Sequence, residues 1–287
     1  MIQKINYFIT RIFDIILYPF GFINEFWGVL FLSVLMSFVV LIIYKYVSSP
    51  TGIRDTKDKI KANILAIRIY KDFWKVILSS FFKSLFYVFK YFILNFGPVL
   101  LIIPILFPAF VQMDVRYGMR GYRVGEDITI KASFSRDPNE LNVELLENNH
   151  FKPKMNPVYI DAFLGDEDKN DGEKIPIREV NWKVEALKEG VASIRIKVGD
   201  RIAEKSLVIG NTRGALTNKR MKESSWWHFL YPAEELLTGT DYLESITVHY
   251  PGKNISFAGI EINWLLLNLL LVVVIVLALH KRFGVEF

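Results

Sequence analysis

The stretch GPVLLIIPILFPAF, residues 97–110, is apolar enough for a bilayer, yet it places Pro98, Pro104 and Pro108 within one segment of helical length. Each proline lacks a backbone donor and its ring presses on the preceding turn of a helix. At membrane depth, prolines are tolerated where neighbouring helices, side chains or water satisfy the freed carbonyl groups. The sequence therefore predicts a membrane helix that is bent by its prolines and has something packed beside it.

Three stretches of the chain are long and apolar enough to span a bilayer. Residues 26–47 hold no charge before Lys45, and residues 92–113 and 262–280 hold none apart from a protonated His280. At about 1.5 Å per residue, such helices cover the roughly 30 Å of a hydrocarbon core. We expect three transmembrane helices, with no cleaved signal peptide before the first, because no short apolar region with a small-residue cleavage site precedes it.

The distribution of Lys and Arg predicts how these spans are oriented. Residues 45–90 carry ten basic and three acidic side chains, a net charge of +7, whereas residues 112–263 carry 21 basic and 24 acidic ones, a net charge of −3. Because basic loops stay on the cytoplasmic side, we expect a bacterial cytoplasmic-membrane protein with its N-terminus outside and its tail, residues 281–287, inside. Anionic lipid headgroups account for the basic excess, so nucleic acid is not an expected partner.

Two helical regions are expected to lie along the membrane rather than cross it. Residues 1–25 read as an amphipathic helix in the interface, with an N-terminal extension of the first span as the alternative. Residues 48–91 read as a basic helical hairpin, bent near residues 71–73, that either anchors to lipid or docks a partner. The candidates for docking or lipid contact are Lys57, Lys59, Lys61, Arg68, Lys71, Lys75, Lys83 and Lys90.

Residues 114–225 change to the alternating pattern of β-strands. Short runs such as DITIKASF at residues 127–134 and EVNWKVEA at residues 179–186 are separated by turn sequences, and Trp182 suits the middle of a sheet. Strands of this length and spacing predict an extracytoplasmic all-β sandwich of immunoglobulin-like type, inserted between the second and third spans.

Residues 226–261 are expected to form a membrane-proximal loop and a hairpin that turns at Pro251 and Gly252 before the last span. Tryptophans favour the headgroup layer of a bilayer. The sequence therefore predicts three interface anchors: Trp226, Trp227 and Trp264.

The sequence carries little that points to catalysis or metal binding. It has no cysteine, which excludes disulfides, zinc–thiolate sites and cysteine nucleophiles, and it has no phosphate-binding loop, nucleophile elbow or close carboxylate pair. The acidic loop GDEDKNDGEK, residues 165–174, has its glycine one place late for calcium and Ile177 where a bidentate Glu is needed. We expect a solvated hairpin tip there, and no catalytic residue, cofactor or metal in the protein.

Polar residues within the spans are few. Ser33 and Ser37 lie one turn apart on the first span, Lys45 ends it, Asn95 opens the second, and Asn268 lies in the third. Small residues at this spacing are a common device for close helix packing, with a groove that faces substrate or solvent as the alternative. The centre of each span lacks an ionisable side chain, which argues against an ion or proton pathway.

The order of these features resembles the core of the YidC/Oxa/Alb membrane-protein insertase superfamily over about residues 10–113. The resemblance is carried by Asn95, by the stretch from Gly97 through Pro98 and Pro104 to Phe107, and by the basic KDKIK and KD sequences at residues 57–61 and 71–72. It implies a function in membrane-protein insertion, folding or assembly, and a proline-bearing helix that packs against the first and third spans.

Two positions depart from that family pattern. Val39 stands where bacterial insertases have an arginine in the first core helix, and Ile102 stands where they have a glutamine between the two prolines. The alternative function is therefore a non-catalytic scaffold or binding subunit of a cell-envelope complex, whose β-sandwich recognises a protein or glycan. A solute transporter or channel subunit is a third possibility, and an enzyme is the weakest class.

Overall fold

A computed structural model describes residues 2–164, 175–211, 214–223, 226–232, 234–257 and 259–285. The helices in these ranges are α1 (Ile2–Leu17), α2 (Glu25–Val47), α3 (Pro50–Ile69), α4 (Trp74–Met113) and α5 (Trp264–Phe283). The strands are β1 (Asp127–Phe134), β2 (Val143–Leu145), β3 (Phe151–Pro153), β4 (Val158–Leu164), β5 (Ile175–Ala186), β6 (Gly190–Val198), β7 (Arg201–Ile209), β8 (Lys219–Met221), β9 (Leu243–Val248), β10 (Asn254–Phe257) and β11 (Ile260–Asn263).

The chain divides into two compact units, which are described separately. The first, called the β unit here, comprises Met1–Glu25 and Phe110–Trp264. The second, called the helical unit, comprises Phe26–Ala109 and Leu265–Phe287. The N-terminal helix α1 thus belongs with the strands and not with the spans.

The prediction of three apolar helices of membrane-spanning length is confirmed. They are Glu25–Val47, Trp74–Gly118 and Trp264–Phe283. In the helical unit α2 and α5 run parallel, because Asn268 meets Ser33 near their starts and Leu41 packs with Val276 further along. The third helix begins two residues later than predicted, since Ile262 and Asn263 complete β11.

The predicted helical hairpin is present, with its break where the sequence placed it. The Ser49 hydroxyl caps α3 by accepting a hydrogen bond from Gly52 N at 3.3 Å, and Pro50 occupies the first turn, where its missing donor costs nothing. After a turn at residues 70–73, α4 continues for 40 residues. The second arm of the hairpin and the second span, predicted as separate segments, are therefore one uninterrupted helix about 60 Å long.

The β unit contains two antiparallel sheets whose buried side chains form one hydrophobic core. One sheet has the order β3-β5-β1-β9-β8, with β4 also paired to β5, and the other has the order β2-β6-β7. In the first sheet Ile130 lies between Trp182 on β5 and Val248 on β9. All three side chains are at most 4% exposed and share a cluster with Ile194 and Leu207 of the second sheet. Trp182 thus lies at the centre of the sheet, as expected.

The predicted hairpin around Pro251 and Gly252 is wrong. Its first half is β9, which pairs with β1 and β8 inside the larger sheet, and its second half, β10, pairs instead with β11. Ile246 and Val248 are fully buried in the core, and this burial outweighs the local turn signal. The predicted end of the β region at residue 225 is therefore too early.

The amphipathic N-terminal helix is present as α1, and it is separate from the first span. It ends at Leu17 and is followed by a 3₁₀ turn, Tyr18–Phe22, with Pro19 near its start, before α2 begins at Glu25. The alternative of one helix extended into the first span does not hold.

Candidate functional site

Ser33, Ser37 and Asn268 come together where α2 meets α5, and all three are fully buried. Ser33 Oγ donates to Val29 O at 2.8 Å and accepts from Asn268 Nδ2 at 2.8 Å, while Ser37 Oγ donates to Ser33 O at 2.7 Å. The small serines allow close approach, and the asparagine links the two helices. Of the two alternatives for these residues, the arrangement is a packed contact, not an open groove.

Asn95 and Lys45 lie outside this contact. Asn95 Nδ2 donates to Tyr91 O at 2.8 Å within α4, and the backbone oxygen of Asn95 accepts from Tyr44 Oη at 3.5 Å. Lys45 is exposed, with its Nζ 6.0 Å from the centre of the Tyr46 ring. The five polar positions therefore do not line a single hydrophilic groove.

The three prolines of α4 have different surroundings, although the helix continues through them. Pro98 is buried, Pro108 is half-buried and Pro104 is exposed. Each one removes the donor for the carbonyl four residues earlier, which frees the oxygens of Leu94, Leu100 and Pro104. The expected packing against the other spans thus covers only part of this segment.

Basic residues of the hairpin divide between its interior and its surface. Lys57 Nζ lies 5.4 Å from the ring centre of Tyr91, and Lys59 Nζ lies 5.5 Å from that of Tyr87, so α3 packs antiparallel on this side of α4. Lys57 is half-buried, whereas the other predicted basic residues are exposed: Lys59, Lys61, Arg68, Lys71, Lys75, Lys83 and Lys90.

The predicted interface anchors are only partly described. The backbone of Trp226 and Trp227 forms a short 3₁₀ helix, Trp226–Leu230, and the side chains of both lie outside the described residues. Trp264 differs from the prediction, because it is 7% exposed and its indole donates to Asp114. A Cβ at Gly118 would lie 2.8 Å from Trp264 Nε1, so the ring is enclosed by protein and not presented to headgroups.

A set of contacts that the sequence did not predict joins α1 to the rest of the β unit. The side chain of Arg116 is 6% exposed, pairs with Asp14, and donates to Gln112 O at 3.1 Å and Thr10 O at 3.4 Å. Asn6 Nδ2 donates to the backbone oxygen of His228 at 2.7 Å. Three polar residues of α1, Asn6, Thr10 and Asp14, therefore contact other parts of the β unit. The signal available in the sequence was an arginine directly after a long apolar stretch.

The larger sheet carries a cleft of about 560 Å³ on its outer face. It crosses β5, β1, β9 and β8 near Ser133, Ser245 and Met221. Cationic and anionic side chains both line it: Arg178, Lys219, Lys222, Glu179, Glu223 and Glu244. Hydroxyl groups with charges of both signs suit a polar ligand that offers donors and acceptors.

A buried ion pair fixes the segment that follows β8. Lys205 is fully buried, and its Nζ donates to Thr217 O at 2.7 Å and to Glu234 Oε1 at 2.8 Å. Desolvation lowers the pKa of Lys205, and the charge of Glu234 opposes that shift. Both hydrogen bonds hold loop residues against β7, so the role of this ion pair is structural.

The acidic loop considered for calcium, residues 165–174, lies outside the described residues. Within the part of the chain that the structure describes, His, Asp and Glu form no group of three or more able to hold a metal ion. Comparison of the chain with protein-family models, with curated proteins and with solved structures gave no match.

Proposed function

We propose that this protein acts in the insertion, folding or assembly of other membrane proteins through its helical unit. The observation that carries the proposal is the uncovered side of the proline-bearing half of α4. There Leu100, Leu101, Ile103 and Ile105 are between 47% and 59% exposed, in a helix with free carbonyl oxygens. Lipid tails cover apolar side chains but cannot donate hydrogen bonds. A polypeptide helix from another protein is the neighbour that meets both needs.

The likeness of residues 10–113 to insertases supports this assignment, and so does the basic hairpin beside the span. With apolar Val39 and Ile102, recognition would rest on helix packing and on donors that reach the free carbonyls, instead of on a charged groove. The surface that binds a substrate membrane protein, called the client here, is then the side of α4 that carries Leu101.

The proposal includes a bacterial inner-membrane location, with the N-terminus and the β unit outside and the basic hairpin inside. The charge difference between residues 45–90 and 112–263 supports this orientation. The parallel course of α2 and α5 is compatible with it, since both helices then cross in the same direction. We further propose that the two sheets with one core form an immunoglobulin-like sandwich.

The second candidate function is a fixed scaffold or binding subunit of a cell-envelope complex. It is favoured by the cleft on the larger sheet, which a protein or glycan partner would fill. The sealed contact between Ser33 and Asn268 also suits a helical unit with a permanent partner.

Site-specific photocrosslinking in cells tests both functions. A photoreactive residue at Leu101, which is 47% exposed, is compared with one at Leu106, which is 7% exposed and serves as the matched control. Many short-lived nascent membrane proteins captured at Leu101 would support insertion or assembly. A single stoichiometric partner would support the scaffold instead. Capture of lipid alone, or equal capture at both positions, would contradict the proposal that this side binds protein.

A further inference from the structure

The N-terminal half of α4, residues 74–96, exposes a continuous apolar surface that is called the phenylalanine face here. Its members are Phe82, Leu85, Phe86, Phe89, Phe92 and Phe96, which are between 42% and 65% exposed. Several of them line a groove of about 640 Å³ that is almost wholly apolar. We propose that this half of α4 lies flat along a membrane that contains anionic lipids, with the phenylalanine face among the acyl chains.

The other side of the same helix is already occupied. Tyr87 and Tyr91 contact Lys59 and Lys57 of α3, and Ser80 is only 7% exposed. At 100° per residue, Phe82, Phe89 and Phe96 point away from α3. The hairpin therefore has one charged side, formed by α3, and one aromatic side, which is the arrangement of a helix pair at a water–lipid boundary.

Continuity with the span identifies lipid as the occupant of this face. Helix α4 has 40 residues and passes without a break into the proline-bearing segment. Its length of about 60 Å is twice the hydrocarbon thickness, so one half has to lie outside the transmembrane path. Because that half is joined directly to a span, it starts at the membrane surface, and lying flat there requires the helix to bend at the junction, where Pro98 removes a backbone donor.

Charge on the same half of the helix also favours lipid. Lys83 and Lys90 project between the phenylalanine face and the side covered by α3, and Lys75 lies near the start of the helix. Lysines in these positions extend their ammonium groups to phosphates while their stems remain in the apolar layer. They also make a second transmembrane crossing by residues 74–96 unfavourable.

Depth measurement by electron paramagnetic resonance tests the proposal on the full chain. Because the protein has no cysteine, single-cysteine variants can be spin-labelled one at a time. Labels replace Phe82, Phe86, Phe89 and Phe96, and Ala62→Cys on the exposed side of α3 is the matched control. The purified protein is placed in vesicles of phosphatidylethanolamine and phosphatidylglycerol. Collision with oxygen reports the acyl region, and collision with a nickel chelate reports water.

We expect oxygen collisions to dominate at Phe82, Phe89 and Phe96 at one common depth, with nickel collisions dominating at Ala62. A depth that changes steadily with residue number would show a crossing helix and overturn the proposal. Low collision rates with both reagents would show that a second copy covers the face, which would also overturn it. The expected result does not depend on insertion activity, so failure of the crosslinking experiment would leave it standing.

Discussion

At the scale of single residues, the contact between Asn268 and Ser33 sets how closely α2 and α5 approach. Asn268 Nδ2 donates to Ser33 Oγ at 2.8 Å and, more weakly, to Met36 Sδ at 3.7 Å, whereas its Oδ1 is buried without a hydrogen-bond partner among the described residues. A buried polar group left unpaired costs free energy, which offsets part of what the hydrogen bond contributes. The pair thus specifies the register of the two helices more than it adds stability.

A double-mutant cycle should show a modest coupling between these residues. We expect Asn268→Ala and Ser33→Ala to destabilise the helical unit with a coupling energy of about 0.6–1.7 kcal/mol, the range for hydrogen bonds between membrane helices. The measurement is the free energy of unfolding in mixed micelles. Ser37→Ala is the control, because Ser37 Oγ bonds within its own helix and should show no coupling to Asn268. Equal coupling at both serines would contradict the assignment.

Glu126 is the carboxyl group with the clearest electrostatic role in the β unit. It accepts two hydrogen bonds from the Arg120 guanidinium, at 2.8 and 2.9 Å, and one from Arg123 N at 2.9 Å. The Arg120 hydrogen bonds, followed by that of Arg123, lower the pKa of Glu126 from 4.5 to about 2. A depressed folded pKa stabilises the fold above the unfolded pKa, and this contribution is lost as the pH falls towards the folded value.

The β unit should therefore lose stability between about pH 5 and pH 2, and Glu126→Gln should reduce that pH dependence. At neutral pH the substitution should cost about 1 kcal/mol, because the pair is partly exposed and screened by solvent. The measurement is thermal unfolding by far-ultraviolet circular dichroism. Glu140→Gln is the control, since the Arg136–Glu140 pair is largely exposed. Identical pH curves for Glu126→Gln and the wild type would rule out the proposed role of Glu126.

At the scale of elements, α1 is positioned by a buried arginine and not by its apolar side alone. Arg116→Gln should release α1 from the β unit, because it removes the pair with Asp14 and the hydrogen bonds to Gln112 and Thr10. We expect a loss of about 1.5–3 kcal/mol in local stability, seen as faster amide hydrogen exchange in α1. Arg11→Gln is the control, since the side-chain hydrogen bond of Arg11 goes to Tyr7 of its own helix. Unchanged exchange in both variants would contradict this role.

Pro104 offers a direct test of why α4 keeps its prolines. Pro104→Ala restores a donor for the carbonyl of Leu100 at an exposed helical position. Without a bound client, the helical unit should therefore become more stable, by at most about 3 kcal/mol. If a client helix satisfies that carbonyl, the same variant should lose crosslinks from Leu101. Ile105→Ala is the control, because it trims the exposed surface without adding a donor. Weaker stability with unchanged crosslinking would speak against a functional proline.

Local patterns in the sequence predicted several elements well and missed others for a physical reason. β1 begins and ends where alternation placed it, and α1 forms within the predicted residues 1–25 although it ends at Leu17, because each has one apolar and one polar side. β9 was misassigned, since its pairing with β1 joins residues more than 100 positions apart, which no local pattern encodes. The contacts of Arg116 were missed for the same reason. Ser33 and Asn268 were found as candidates, but only the structure shows that they bond to each other.

At the scale of the whole molecule, the proposed orientation places the β unit and the basic hairpin on opposite sides of the membrane. The absence of cysteine makes this orientation measurable with single-cysteine variants. Asp200→Cys lies in the exposed turn between β6 and β7, Lys4→Cys on α1, and Ala62→Cys on α3. By the positive-inside rule, we expect the first two to react with a membrane-impermeant maleimide in intact cells. Ala62→Cys should react only after the membrane is permeabilised, because residues 45–90 carry the excess of positive charge.

Labelling of Ala62→Cys in intact cells would show that the orientation is the reverse of the one proposed. Opposite behaviour of Lys4→Cys and Asp200→Cys would contradict the placement of α1 in the same compact unit as the strands.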